Sequence, residues 1–240
     1  MTYCVAMRLK TGMVFLSDSR TNAGVDQIAT FRKMFVFKQK GKRLLVIMSA
    51  GNLATTQSVI ALLRSRLDTE EPNLMNCETL YDAAELLGRT SREVIDRDAG
   101  PGQGKVDFGS SFILGGQIKG EDMRLFHVYP EGNFIEASED TPYFQIGELK
   151  YGKPIIDRVI NYKSGIDQAV KCALISMDST IRSNLSVGLP LDLLRYDKDS
   201  FDDGYRYEID ESTPGYKSIR EGWSEGLKRT FSRLPSFDWE

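Results

Sequence analysis

The sequence has a single histidine, His127, among 240 residues. A Ser/His/Asp triad or a Cys/His dyad needs a histidine beside its nucleophile, and a zinc site normally recruits two or more His or Cys ligands. His127 alone could serve, and it stands between Phe126 and Val128 in a strand-like run, where we interpret it as structural. The scarcity of histidine therefore excludes most of the familiar hydrolytic and zinc sites.

Cysteine and long apolar runs are also scarce. Cys4, Cys77 and Cys172 are odd in number, widely spread and form no CxxC pair, which is typical of reduced thiols in the cytoplasm. No apolar run approaches the roughly 18 residues of a membrane span, and the first eight residues lack the apolar centre of a secretory signal. We expect a cytoplasmic protein that has no membrane partner.

The charge balance and the glycine pattern exclude further classes. Lys and Arg number 31 against 34 Asp and Glu, hence 31 − 34 = −3, and this mild acidity argues against a nucleic-acid partner. The glycine-rich residues 100–105 miss the Walker phosphate-loop spacing at Ala99 and Val106. The chain carries no dinucleotide-binding glycine motif and no EF-hand spacing. We therefore expect no metal and no organic cofactor.

The hydrophobic periodicity alternates between blocks of strands and pairs of helices. The predicted strands span residues 3–9, 13–19, 34–37, 43–49, 110–118, 124–129, 133–137, 143–147 and 191–196, and the predicted helices span 52–67, 79–97, 153–161 and 165–182. Four strands thus precede the first helix. This order disfavours a doubly wound fold and favours an α+β fold in which two antiparallel sheets are covered by helices on each outer face, a four-layer αββα sandwich.

The length favours one domain over residues 1–240, with a core to about residue 200 and an extension over 201–240. In the extension Ile219, Trp223, Leu227 and Phe231 recur every four residues, which predicts an amphipathic helix. Its apolar stripe either packs on its own subunit or forms a contact between subunits. Two glycines weaken it as a free helix, so we expect it to need a packing partner.

A nucleophile that needs no histidine is an N-terminal threonine, whose hydroxyl attacks while its own α-amine accepts the proton. Thr2 immediately follows Met1 and is small enough for the initiator methionine to be removed. A free α-amine titrates much nearer to neutral pH than a lysine side chain does, so it is the more accessible base. Thr2 is therefore a candidate nucleophile.

The surroundings of the first strands add to this pattern. Asp18 ends the second strand at 18 − 2 = 16 positions from Thr2, Lys33 precedes the third strand at 33 − 2 = 31 positions, and Gly51 follows the fourth strand. With residues 108–118 and 145–147, this arrangement resembles the β-subunit signature of the proteasome family of N-terminal-nucleophile hydrolases over most of the chain. The threonine directly after Met1 and the long tail are more similar to the bacterial ancestral β-subunit branch, Anbu, than to β-subunits with a propeptide.

The resemblance implies a role for each matching residue. Thr2 would be both nucleophile and general base, and Lys33 would place a positive charge beside it. Asp18 would hold and compensate the lysine, and the backbone N–H of Gly51 would stabilise the oxyanion. Ser186 matches a serine that helps to orient the N-terminal amine. These five residues form the predicted catalytic set.

Two positions depart from the pattern of active β-subunits. Glu148 stands where those subunits have a serine near the nucleophile, and Ser183 stands where they have an aspartate. In active β-subunits that serine and that aspartate orient the N-terminal amine. The two replacements bear on how efficiently this chain would cleave peptides.

The leading interpretation is a threonine-type peptidase that cleaves peptide bonds by acyl transfer to Thr2 after Met1 is removed. The resemblance implies a homo-oligomeric ring or spiral that acts on peptides or unfolded proteins, with an unfoldase partner left unidentified. One alternative is a catalytically weak scaffold subunit of the same fold. Another is a small-molecule amidase, because the same nucleophile opens many amides.

Overall fold

The computed structural model describes residues 2–22, 28–99 and 106–239. Met1, the glycine-rich residues 100–105 and the segment that includes Gly24 lie outside the described residues. The strands are β1 (Tyr3–Leu9), β2 (Gly12–Asp18), β3 (Arg20–Asn22), β4 (Ile28–Thr30), β5 (Met34–Gln39), β6 (Arg43–Gly51), β7 (Ser110–Ile118), β8 (Arg124–Val128), β9 (Phe134–Glu136), β10 (Tyr143–Gly147), β11 (Leu191–Asp197) and β12 (Tyr205–Ile209). The helices are α1 (Leu53–Ser65), α2 (Leu80–Asp98), α3 (Lys153–Val159), α4 (Ile166–Ser183) and α5 (Pro214–Phe231).

Two five-stranded antiparallel sheets form the centre of the fold. One has the order β10-β1-β2-β11-β12 and the other the order β5-β6-β7-β8-β9. The first strand is paired on both sides, with Tyr3 opposite Gly147 of β10 and Cys4 opposite Ser17 of β2. The N-terminal strand is therefore held inside a sheet.

The side chains of β1 and β2 alternate between two apolar layers. Tyr3, Val5 and Met7 face the layer beneath α4, whereas Cys4 and Ala6 belong to the core between the sheets. A third cluster lies between the second sheet and helices α1 and α2. These three apolar layers separate four layers of secondary structure, and the predicted αββα sandwich is confirmed.

The long helices begin where the sequence supplies capping side chains. Asn52 accepts a hydrogen bond from the Thr55 amide at 3.2 Å at the start of α1. Thr79 and Asp82 form a reciprocal capping box at the start of α2. Such caps satisfy backbone amides that have no partner inside the helix. The α1 cap fixes the position at which β6 turns into the helix.

The strand prediction missed three strands. The pair β3 and β4 was missed, so six strands and not four precede α1. Each has only three residues, too few for a period of two to be recognised. Strand β12 was missed because Arg206 and Glu208 alternate with tyrosines in an acidic stretch. It owes its conformation to pairing with β11, where Leu191 lies opposite Ile209.

Helix α5 contacts the body of the protein through its first two turns. Tyr216 is buried, Ile219 packs against the same cluster, and Arg220 donates to Asp178 of α4 at 2.8 Å. Further along, Leu227 and Phe231 are 51% and 79% exposed. The helix is thus anchored at one end and leaves an apolar stripe uncovered.

No helix in the described ranges is long and apolar enough to cross a membrane.

Candidate active site

Thr2 lies at the open end of β1, directly before the first paired residue. Its carbonyl oxygen accepts a hydrogen bond from the Glu148 amide at 2.7 Å. Gly147, beside it at the end of β10, has a φ of +88°, and a Cβ at this position would collide with the Thr2 carbonyl oxygen. Only glycine allows β10 to approach the N-terminal residue so closely. The backbone of Thr2 is therefore fixed by β10.

Asp18 and Lys33 form a buried ion pair beneath Thr2. Nζ of Lys33 lies 2.7 Å from Oδ1 of Asp18, and the side chains are 7% and 0% exposed. The ammonium also donates to the Arg20 carbonyl at 2.7 Å. Asp18 Oδ1 accepts the Tyr3 amide at 3.0 Å, and Oδ2 accepts the Gly188 amide at 3.4 Å. The aspartate thus joins the lysine to the residue that follows Thr2.

Burial and the neighbouring groups act on the pKa of Asp18 in opposite directions. Burial raises the pKa of Asp18, whereas the adjacent Lys33 charge and the amides of Tyr3 and Gly188 act to lower it. A buried ammonium is stable only beside an anion, so the two charges depend on each other. Burial also raises the pKa of Cys4, the closest thiol along the chain, and keeps it protonated. Cys4 is therefore not a competing nucleophile.

Gly51 occupies the junction between β6 and α1. Its φ is +119°, and a Cβ there would lie 2.5 Å from the Gly109 carbonyl oxygen and 2.8 Å from Cα of Ser110. Both the backbone conformation and the space therefore require glycine. The neighbouring strand is tied to the lysine segment, because the Ser49 amide donates to the Lys33 carbonyl at 3.0 Å.

Thr2, Lys33, Gly51 and Gly147 line one cleft of about 830 Å³. Its other walls come from one face of α1 and from the segment that leads into β5, through Phe31, Arg32, Phe35, Leu53, Gln57, Ile60, Ala61 and Arg64 among others. Three of the five residues predicted from the sequence thus meet at one surface, and Asp18 lies directly beneath it. A cleft of this size accommodates several residues of an extended chain.

Ser186 takes a different place, in the loop between α4 and β11. Its amide donates to Oδ1 of Asn184 at 3.0 Å, and Nδ2 of Asn184 donates to Oε2 of Glu148 at 3.0 Å. Glu148 in turn holds the Thr2 carbonyl through its backbone amide. These contacts form one link from Ser186 through Asn184 and Glu148 to Thr2, and Ser186 is not among the described residues that line the cleft.

Ser183 and His127 lie away from the cleft. Ser183 is exposed at the last position of α4. His127 stacks near Tyr129 and Phe144, with ring centroids 4.4 and 5.7 Å away, which agrees with a structural role. Within residues 2–22, 28–99 and 106–239, no group of three or more His, Cys, Asp or Glu side chains could hold a metal ion.

Two contributors to the site were missed by the sequence interpretation. Gly188 donates its amide to Asp18, and Asn184 links Glu148 to the Ser186 turn. Their partners lie 170 and 36 positions away. A single sequence carries no signal for such distant contacts, although the Asn-Leu-Ser and Gly-Leu-Pro pattern indicates a structured loop.

The fold and cleft agree with known proteins. The family described as proteasome subunit matches residues 2–188. Anbu (ancestral beta-subunit) from Yersinia bercovieri is 62% identical, with a TM-score of 0.95 over 99% of this chain and 100% of that one. The helical assembly of the Anbu complex from Pseudomonas aeruginosa is 53% identical, with a TM-score of 0.96 over 99% and 98%.

Anbu from Hyphomicrobium sp. strain MC1 is 47% identical, with a TM-score of 0.90 over 98% of this chain and 99% of that one. A comparison with proteins of curated function finds no match. The match to the family covers more than half of the chain, and the resemblance to the three Anbu structures extends over nearly all of it. The chain therefore belongs to the proteasome subunit family, in its ancestral β-subunit branch.

Proposed function

We propose that this protein is a threonine-type peptidase in which Thr2, freed by removal of Met1, is the nucleophile. The observation that carries the proposal is the convergence of Thr2, Lys33 and Gly51 on one cleft, above the buried Asp18 carboxylate. A hydroxyl beside its own amine and a fixed cation can attack a carbonyl without a histidine.

The reaction proceeds by acyl transfer. The Thr2 hydroxyl oxygen bonds to the carbonyl carbon of a peptide while its proton moves to the α-amine, and the oxyanion is stabilised by the Gly51 N–H. The carbon–nitrogen bond then breaks, and the ammonium returns the proton to the leaving amine. Water next adds to the ester, gives its proton to the amine and releases the acid, which restores the Thr2 hydroxyl.

Lys33 and Asp18 affect the charges on the α-amine and the hydroxyl oxygen of Thr2. The Lys33 ammonium favours the neutral form of the neighbouring α-amine and lowers the cost of negative charge on the Thr2 oxygen. Asp18 keeps the lysine in place and compensates its charge at 2.7 Å. Ser186 and Glu148 act as positioning residues through the Asn184 link.

The exposed stripe of α5 supports self-assembly as part of the proposal. Between Leu227 and Trp239, in the second half of α5 and the segment that follows it, five large apolar side chains are at least half exposed, namely Leu227, Phe231, Leu234, Phe237 and Trp239. A concentration of exposed apolar side chains in one part of the chain is typical of an interface. The related protein from Pseudomonas aeruginosa is described as a helical assembly. We assign to this chain a homo-oligomeric ring or spiral in the cytoplasm, with the cleft open to peptides or unfolded chains.

The test combines mass spectrometry with an electrophile. The purified protein is measured intact and after treatment with a peptide epoxyketone, beside Thr2→Ala and the matched control Thr141→Ala, which removes an exposed threonine elsewhere. We expect loss of Met1 and an adduct in the wild type and in Thr141→Ala, and no adduct in Thr2→Ala. Turnover of peptides by a chain that retains Met1 would contradict the mechanism.

The exposed position of Ser183 favours one second candidate, a weakly active scaffold subunit. Wild-type protein that assembles and loses Met1 but neither forms an adduct nor cleaves fluorogenic peptides would support it. Cleavage of γ-glutamyl or acyl amides in the absence of peptide cleavage would instead support an amidase. The three outcomes separate the three functions.

A further inference from the structure

The cleft beside Thr2 carries positive charge that the acyl-transfer chemistry does not use. Its described lining residues include three cations, Arg32, Lys33 and Arg64, and neither an aspartate nor a glutamate. Lys33 is neutralised by Asp18 at 2.7 Å. The remaining positive charge comes from the two arginines.

Among the described residues, neither arginine has a buried acidic partner. Arg32 approaches Glu208 of β12 only to 3.6 Å, with both side chains 68% exposed, an arrangement that contributes little. Arg64 makes no ion pair with any residue in the described ranges. Its guanidinium stands over the ring of Phe35, 5.7 Å from the centroid. The Phe35 ring thus holds this charge at the wall of the cleft.

Helix α1 places Arg64 on the face that lines the cleft. Leu53, Gln57, Ile60 and Arg64 recur at spacings of four, three and four, so they share one face of the helix. Long helical side chains point back toward the N-terminus of their helix. Arg64 therefore shares the cleft with Ile60 and Leu53, and its guanidinium lies over Phe35 at the cleft wall.

The cleft thus combines an apolar floor with a cationic rim. Phe31, Leu53 and Ile60 supply the floor, and Arg32 and Arg64 supply the charge. A side chain with a short hydrocarbon stem and a terminal carboxylate matches both parts, whereas a cationic side chain is repelled.

We infer that the site selects peptides in which a glutamate supplies the carbonyl attacked by Thr2. The inference rests on the proposed function, and it names Arg32 and Arg64 as the residues that determine the substrate class. Because both guanidinium groups are accessible to water, two such pairs together amount to about a ten-fold preference for glutamate over the isosteric glutamine. Screening by salt reduces this preference.

The test uses fluorogenic peptides that differ only in the residue before the cleaved bond, with Glu, Gln, Leu or Lys at this position. In the wild-type assembly we expect kcat/KM for Glu to exceed that for Gln by about ten-fold, and Lys to be the poorest substrate. The double variant Arg32→Gln/Arg64→Gln should bring the Glu-to-Gln ratio close to one. The control Arg89→Gln removes an exposed arginine of α2 outside the cleft and should leave the ratio unchanged.

A second readout separates this inference from the proposed function. Binding of labelled Glu and Gln peptides to Thr2→Ala is measured by fluorescence anisotropy, which needs no turnover. Tighter binding of the Glu peptide that the double variant loses would support the inference even without hydrolysis. Peptide cleavage with equal kcat/KM for Glu and Gln, or an unchanged ratio in the double variant, would overturn it while the peptidase function stood.

Discussion

Nζ of Lys33 lies 2.7 Å from Oδ1 of Asp18, and both side chains are buried. The same carboxylate oxygen accepts the amide of Tyr3, the residue next to the proposed nucleophile. A movement of either charged group therefore displaces the start of β1. The ion pair couples the position of the cation to that of Thr2.

Replacement of Asp18 by asparagine should destabilise the fold strongly. The change leaves the Lys33 ammonium buried without a counter-charge, which typically costs about 3–5 kcal/mol. Urea denaturation measures the loss. As a control, Asp202→Asn removes an exposed carboxylate 3.9 Å from Lys38 and should change the free energy of unfolding by less than about 0.5 kcal/mol. Equal effects of the two variants would contradict the importance of the buried pair.

Replacement of Gly51 by alanine should impair both folding and turnover. The new Cβ meets backbone atoms of Gly109 and Ser110, so the chain must shift at the proposed oxyanion N–H. Loss of one such donor lowers kcat by about 10²–10³. Gly41→Ala is the matched control, because Gly41 also has a positive φ, +71°, but open space around it. That control should lose about 1–2 kcal/mol of stability and retain its kcat.

Replacement of Glu148 by alanine should lower kcat more than it changes KM. The variant removes the carboxylate that binds Asn184 and so frees the Ser186 loop from the strand that holds Thr2. We expect a decrease in kcat of about ten-fold, as for other misplaced catalytic groups. Glu148→Gln keeps an acceptor for Asn184 and should recover most of the rate, whereas Glu139→Ala, an exposed carboxylate, should have no effect. A rise in KM with kcat unchanged would argue against a positioning role.

Replacement of His127 by glutamine should alter the pH dependence of stability but not the chemistry. Burial lowers the pKa of His127 below its ordinary value of 6.5. As pH falls through 6.5 the unfolded chain takes up a proton that the folded chain does not, so folding stability decreases. The variant should lack this decrease, a difference of up to about 1.4 kcal/mol per pH unit.

Thermal denaturation of both proteins between pH 8 and pH 5 provides the measurement. The difference in melting temperature between them should be constant at the upper pH values and shrink as the pH falls. Loss of peptide turnover in folded, assembled His127→Gln would overturn the structural assignment of this residue.

Replacement of Leu227 and Phe231 by aspartate should prevent assembly without unfolding the subunit. Both side chains are exposed on α5 beyond the turns that contact α4. Light scattering should show the wild type as a large species and the variant near the 27.0 kDa of one chain. Val106→Asp, which changes another exposed apolar side chain, should assemble normally. A wild-type protein that stays monomeric would contradict the assembly proposal.

The helices and strands whose apolar residues recur at a regular spacing were predicted from the sequence. The helices α1, α2 and α4 and the strands of both hairpins begin within one or two residues of their predicted bounds. Strands β3 and β4 were not predicted because a segment of three residues is too short to show a period. Strand β12 was not predicted because charged residues alternate with its tyrosines. Their conformation depends on partners elsewhere in the chain, such as Leu191 opposite Ile209.

The candidate site was accessible from sequence only where its residues follow the strand order. Thr2, Asp18, Lys33 and Gly51 stand at or beside the ends of β1, β2, β5 and β6, which the two antiparallel sheets place together. Ser186, also predicted from the sequence, is linked to the Thr2 backbone by contacts that include Asn184 and Glu148, and its catalytic role stays a prediction. The sequence did not predict the positive charge of Arg32 and Arg64 at the cleft. Arg64 lines the cleft because of the way α1 packs against the sheet, which determines the helix face that is turned toward Thr2.

Pairing of β1 on both sides has a further consequence. Chain termini usually fray, and an attacking group at a free end would have to be immobilised in every catalytic cycle. Here Gly147 and Ser17 hold the strand on either side from its first residues. In the proposed peptidase, the entropy of ordering Thr2 would therefore be lost once, when the chain folds, and would not add to the barrier of each turnover.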